Sequence, residues 1–175
     1  MSLKSVEALH GRAALAILKL LEGQSLMTLA VNRPGGRPHA STLGYMNDGL
    51  NLYFITAKDS EKLSNIRADS RVGVAIRGRA EEGEAVGVSI DGRATILSDV
   101  AEIEHVLGLI LQRAPEISPW APGLGKTVVV KVIPETIEAV AIIDGRSHAE
   151  VYQIGDVDAV LANVDYKPSA IARLF

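Results

Sequence analysis

From Ser25 onward, apolar residues recur at every second position in short runs, and clusters of glycine, proline, asparagine and aspartate separate those runs. Period-two patterning in such short pieces predicts half-buried β-strands, and a chain made of many of them must close or cover its sheet edges. The runs are Ser25–Asn32, Pro38–Met46, Leu50–Thr56, Arg71–Arg77 and a long stretch from Val86 to Ile96. Two more, Thr127–Ile133 and Ile137–Ile143, flank Pro134, and a last short one lies near Val151. Pro34-Gly35-Gly36 marks one turn. Asn47-Asp48-Gly49 marks a hairpin, because these residues tolerate the positive φ that tight turns need. The first three runs therefore predict an antiparallel meander. In the long run, Val86, Val88, Ile90, Ala94 and Ile96 share a face, and Gly92 predicts a bulge or bend.

Helical spacing appears three times. Residues 4–22 place Val6, Leu9, Ala13, Ile17 and Leu20 on one face, with Gly23 as the stop. Glu61–Ala68 forms a short amphipathic helix with Leu63 and Ile66 inward. Asp99 caps a third helix that runs to about Arg113 and buries Ile103, Val106, Leu107 and Ile110. Glu81-Glu82-Gly83-Glu84 is a solvated acidic turn, and the three prolines and two glycines of residues 115–125 make a loop. Many antiparallel strands with few helices predict a closed or nearly closed barrel over residues 1–155. The weakly patterned residues 156–175 are expected to pack on the barrel or on a partner subunit.

A chain of 175 residues, with 47% apolar and 22% charged residues, suits one globular domain with a sizeable core. Its net charge of −3 provides no footprint for nucleic acid or an anionic membrane. There are no cysteines, which removes disulfides, thiolate nucleophiles and cysteine-ligated zinc. Lys19 interrupts the apolar run of the first helix and Met1–Leu9 lacks signal-peptide character, so the expectation is a cytoplasmic domain. His10, His39, His105 and His148 fall in different elements without ligand spacing, which argues against a metal. Gly125-Lys126-Thr127 ends like a phosphate-binding loop. The first glycine of that motif would fall at Trp120, however, and a strand follows instead of a helix. Neither G-x-G-x-x-G nor G-x-S-x-G occurs.

One stretch does carry chemistry. A strand ends at Thr56, a short polar loop follows, and a helix opens at Ser60-Glu61-Lys62. A helix N-terminus presents free N–H groups and a partial positive charge, so it favours an anion. Thr56 and Ser60 add hydroxyls and Lys62 adds a full charge, a donor set suited to a phosphate monoester. The plain alternative is that Ser60 only caps the helix and Lys62 is only solvated.

This order of features resembles the flavin-binding region of pyridoxamine 5′-phosphate oxidase-like proteins. It comprises Pro38-His39-Ala40-Ser41-Thr42-Leu43, a hairpin, Phe54-Ile55-Thr56, and then Ser60-Glu61-Lys62 opening a helix. The long strand around Val88–Ala94, the helix after Asp99, and the closing Val130, Val132 and Pro134 follow in the same order, so the resemblance covers about residues 5–145. It implies an α+β, mainly β fold, a six-stranded antiparallel Greek-key split barrel with flanking helices. It further implies a homodimer, FMN as cofactor, and flavin-dependent oxidoreduction of a small molecule. Carried over by position, His39, Ala40, Ser41, Thr42 and Leu43 would line the isoalloxazine, with Ile55 beside the ring or ribityl chain. Thr56, Ser60 and Lys62 would hold the phosphate, with Leu63 beside them. Members of the superfamily also use deazaflavin F420 or bind haem, and a flavin-binding protein without turnover is a further alternative.

There are departures. The family's oxidases carry arginine between the serine and lysine, where this chain has Glu61; their glutamine early in the fifth strand falls near Gly87; and Val151–Phe175 lacks their substrate-binding arginine and histidine pattern. The flavin site carries over, while vitamin B6 oxidation does not follow. Beyond the motif, His39 is read as facing the flavin edge or capping the barrel mouth, and Trp120 as a packing residue or a flavin-stacking one. Tyr53 is expected opposite Phe54, and Arg77 and Arg79 are read as assisting a phosphate or solvating the rim.

Overall fold

The structure is a computed structural model that describes residues 6–9, 11–79, 85–113, 125–143 and 145–155. In chain order these form β1 (Val6–Ala8), α1 (Gly11–Glu22), β2 (Leu26–Asn32), β3 (Pro38–Gly44), β4 (Met46–Asp48) and β5 (Asn51–Ala57). Then come α2 (Glu61–Ala68), β6 (Arg71–Arg77), β7 (Ala85–Ile96), α3 (Val100–Arg113), β8 (Thr127–Ile143) and β9 (Arg146–Gln153). The expectations for Trp120, for Glu81–Glu84, for most of the 115–125 loop, for His10 and for residues 156–175 lie outside the described residues.

The architecture is a split β-barrel of the α+β class. Its wall is six strands in the order β3-β2-β6-β7-β8-β5, antiparallel at every pairing. Three further strands bring the described total to nine: β4 pairs with β5, β9 with β8, and β1 with β9. β5 keeps its hairpin partner β4 on one edge and on the other crosses to pair with β8 at the far side of the sheet, a Greek-key crossing. The barrel closes only where Tyr45 joins β3 to β4, since β4 is already paired with Met46 opposite Tyr53. Beyond that corner β3 and β5 diverge. This corrects the expected meander: the run Pro38–Met46 is broken at Tyr45, and β3 pairs with β2 and not with β5.

Two other expectations are overturned by long-range pairing. The helix expected over residues 4–22 begins only at Gly11, and Val6–Ala8 instead pairs in parallel with Val151–Gln153. Gly11 sits at φ +54°, a conformation that ends an α-helix, and a window of local periodicity contains no information about β9. The stripe on α1 rotates accordingly: Ala14, Ile17, Leu18 and Leu21 are buried, while Ala13 and Leu20 only flank the core. Likewise, the two strands expected around Pro134 are one 17-residue strand, β8. Asp91 pairs with Thr136 but Gly92 pairs with Pro134, so Glu135 bulges out and the proline is tolerated beside it. One edge of β8 follows β7; the other is shared between β5 and β9, and there the sheet splits.

The main core fills the barrel with Leu29, Leu52, Phe54, Val74, Ile90 and Val130, capped by Leu18 and Leu21 of α1 and Leu63 and Ile66 of α2. A second cluster joins Met46, Tyr53 and Val129 to Val106 and Ile110 of α3. Strand alternation thus sends Phe54 and Tyr53 to different cores. Asp99 caps α3 as expected, accepting from the Glu102 N–H at 2.9 Å. Tyr45 ties the barrel corner to α1 by donating to the Leu21 carbonyl at 2.6 Å, one of the carbonyls a helix C-terminus leaves without an internal partner. Tyr45→Phe is expected to cost about 1–2 kcal/mol by leaving that buried carbonyl unanswered. Urea unfolding checks this; an unchanged midpoint would show the bond to be dispensable.

Candidate functional site

Divergence of β3 from β5 leaves a cavity of about 590 Å³ at the fork. Gly44, Tyr45 and Met46 line it from the β3–β4 side, Tyr53, Ile55, Thr56 and Ala57 from β5, and Ile110 and Arg113 from α3. The lining is mainly apolar, with one cation, Arg113, and one carboxylate, Glu22 at the end of α1. Arg113 donates from Nη1 to Asn47 Oδ1 at 2.9 Å, and buried Asn47 donates in turn to the Gly49 carbonyl at 2.9 Å. That carbonyl belongs to the hairpin turn, where Gly49 adopts φ +57°. Arg113 is therefore fixed by the hairpin expected from sequence, although its own position at the end of an amphipathic helix gave no hint of a cavity.

At the end of β5, two of the hydroxyls expected to hold an anion meet. Thr56 Oγ1 lies 3.1 Å from Ser60 Oγ, and Ser60 accepts from the Leu63 N–H at 3.2 Å as the N-cap of α2. The N–H groups of Glu61 and Lys62 have no acceptor among the described residues, as expected of a first helical turn. Lys62 folds back so that Nζ stands 5.8 Å from the centre of the Phe54 ring. Partial burial there lowers its pKa below the ordinary lysine value. A half-desolvated ammonium is a cation in want of a counter-charge.

The remaining expected site residues divide by strand geometry. His39, Ser41 and Leu43 point inward from β3, while Ala40 and Thr42 are exposed on the opposite face. These five cannot all present side chains to one ligand. What they share is backbone along the β3 edge that faces away from β2. The Ser41 hydroxyl is enclosed and has no hydrogen-bond partner among the described residues. Leu63 contributes its N–H to the cap, and its side chain is fully buried in the main core.

Glu61, which departs from the arginine of the resemblance, does not face the anchor unopposed. Arg33, just before the β2–β3 turn, donates from Nε to Glu61 Oε1 at 2.7 Å. That hydrogen bond and charge, with His39 adding a weaker attraction, hold the Glu61 carboxyl below its ordinary pKa. Asn32 Nδ2 meanwhile donates to Asp69 Oδ2 at 3.0 Å. Two consecutive residues of the β2 end thus clamp both ends of α2.

The family model described as pyridoxamine 5′-phosphate oxidase matches residues 15–141. The chain belongs to this family. The match spans the fork, the α2 anchor, β6, β7, α3 and most of β8. A search of curated proteins by sequence finds no match. Among solved structures, a Listeria innocua protein provisionally assigned as pyridoxamine 5′-phosphate oxidase is 26% identical, with a TM-score of 0.60 over 72% of this chain and 96% of its own. A haem-binding protein from Mycobacterium smegmatis is 18% identical with a TM-score of 0.71, over 89% of this chain and 62% of its own. An FAD-binding protein from Mesorhizobium loti is 23% identical with a TM-score of 0.61, over 72% and 92%. The last two show that the fold is shared. The same barrel is thus found in proteins described by different prosthetic groups. Among the described residues, no helix is long and apolar enough to cross a membrane, and no group of three or more His, Asp or Glu side chains converges.

Proposed function

We propose that this member of the family is an FMN-binding, homodimeric flavoprotein that carries out oxidoreduction on a small molecule. The observation that supports it best is that Thr56 belongs to both halves of the site. It lines the cavity and also stands within hydrogen-bond distance of Ser60 at the α2 N-terminus. An apolar recess for a ring is therefore contiguous with a donor set for one terminal phosphate. In this reading Thr56, Ser60, Lys62 and the first N–H groups of α2 hold the phosphate. Gly44, Met46, Tyr53 and Ile55 enclose the ring and keep water from it, and the free backbone of the β3 edge supplies polar contacts. When bound, the flavin supplies hydride or single-electron transfer, and the protein contributes position and electrostatics. FMN is favoured over the dinucleotide because the anchor serves one phosphate, and the chain has no G-x-G-x-x-G turn for a pyrophosphate.

The test is to denature the purified protein and identify the released chromophore by absorbance and mass. FMN is expected. FAD, F420 or a haem spectrum would each replace this reading with another prosthetic group on the same barrel. Turnover of reduced nicotinamide by the flavin-loaded protein distinguishes a reductase from a protein that only carries flavin. The dimer is supported by the outer face of the sheet, where Leu26 and Ile142 are exposed beside the small side chains of Thr28, Ala75 and Ser89. Light scattering is expected to report two chains; a flavin-loaded monomer at micromolar concentration would overturn that assembly.

A further inference from the structure

A carboxylate in the first turn of α2 is at odds with a phosphate anchor, since Glu61 would repel the dianion that Lys62 attracts. The structure offers a resolution. Arg33 reaches across from the turn after β2 and bonds Glu61 through Nε alone, leaving the donors on both Nη atoms uncommitted to that carboxylate. Arg33 is about one-third exposed and Glu61 well exposed, so the pair lies at the mouth of the anchor and not in the core. The clamp formed by Asn32 on Asp69 sets the far end of α2 against the same strand, so the approach of Arg33 to the helix start is a consequence of how α2 is seated. His39, opposite Val31 in the β2–β3 ladder, adds its attraction to Glu61 from the neighbouring strand.

We infer that Arg33 is the second cation of the phosphate anchor and that Glu61 is a positioning residue which holds it there. The inference rests on the FMN reading and adds to it. An arginine supplied by a hairpin takes the electrostatic part that the family's oxidases assign to an arginine within the helix. With Arg33 present, the Arg33–Glu61 pair is neutral overall and Lys62 acts on the phosphate unopposed; without it, Glu61 cancels Lys62. A guanidinium also suits the site better than an ammonium, because its fork can serve a carboxylate on one edge and a phosphate on another.

The test is a set of apoprotein titrations with FMN and with riboflavin, followed by quenching of flavin fluorescence. Arg33→Ala is expected to weaken FMN about tenfold, the lower end for a charge-assisted hydrogen bond because the group is partly exposed, and to leave riboflavin unchanged. Arg33→Lys should restore part of the loss. Glu61→Gln carries the decisive sign. In the wild-type background it should weaken FMN by about threefold, because Arg33 loses its anchor point; in the Arg33→Ala background it should tighten FMN, because an unbalanced negative charge is removed. Tightening in both backgrounds, or no effect of Arg33→Ala, would overturn the inference. If Lys62→Ala weakens FMN while Arg33→Ala does not, only this inference falls. If the wild-type protein binds FMN no better than riboflavin, the FMN reading falls and takes this inference with it.

Discussion

Lys62→Ala is expected to weaken FMN binding roughly 10- to 150-fold, the loss of one charge-assisted hydrogen bond of about 1.5–3 kcal/mol. Lys62→Glu should be worse, since it sets a second carboxylate beside Glu61 at the start of α2. Thr56→Val removes only a neutral donor and should cost less. Riboflavin, lacking the phosphate, should bind weakly to wild type and be nearly indifferent to all three changes. The lysine is partly buried over Phe54, and that burial lowers its pKa. The sign for folding follows: a lysine whose folded pKa lies below its unfolded value makes the folded state less favourable while it is charged. The deficit is present at neutral pH and disappears as pH rises through the unfolded value. Lys62→Ala should therefore leave the apoprotein's urea midpoint nearly unchanged or slightly raised while FMN affinity collapses. A fall in affinity matched by an equal fall in midpoint would mean that Lys62 supports the fold and not the ligand. Unchanged FMN affinity would remove it from the site altogether.

Gly92→Ala is expected to destabilise the fold by about 3 kcal/mol or more, and Gly92→Val by more still. A Cβ at Gly92 would stand 2.4 Å from the Ile133 carbonyl oxygen, 3.1 Å from the Ile133 carbonyl carbon and 3.2 Å from Pro134 Cα. All three are backbone atoms, so no side chain can swing aside. Relief requires moving β7 from β8, the longest strand pairing in the barrel and the one that carries the bulge at Glu135. Domain stabilities are about 5–15 kcal/mol, so such a loss is a large fraction of the total. Gly108 provides the contrast. It lies inside α3, and a Cβ there meets nothing within 4 Å. Gly108→Ala should stabilise by about 0.5–1 kcal/mol through helix propensity. Chemical unfolding of the two variants side by side reads both signs at once, and a Gly92→Ala protein as stable as wild type would show that the bulge can relax.

Local patterns in the chain carry much of this. The α2 helix begins and ends where its amphipathic spacing predicts, because Ser60 caps it and Asp69 closes it within the same ten residues. The Asp99 cap, the Asn47-Asp48-Gly49 hairpin and the meeting of Thr56 with Ser60 are all local or nearly so. A side chain whose partner is three or four residues away leaves a readable trace, since the spacing itself encodes the contact.

Local pattern along the chain sets the type and order of most of these elements, the turn chemistry, and the hydroxyls and lysine gathered around the start of α2. Tertiary structure alone decided which strands meet. Pairing β5 with β8 joins residues about seventy to eighty positions apart, and that pairing holds β5 away from β3 beside the cavity. The parallel pairing of β1 with β9 turned an apparent helix start into strand. Arg113 entered the cavity because α3 packs on β4 and β5, and Arg33 reached Glu61 because α2 lies across the end of β2. One cause underlies all four. Periodicity and capping are set by interactions along the chain. The choice among distant partners is set by which arrangement buries Leu52, Phe54 and Val130 in one core, and that free energy belongs to the whole barrel.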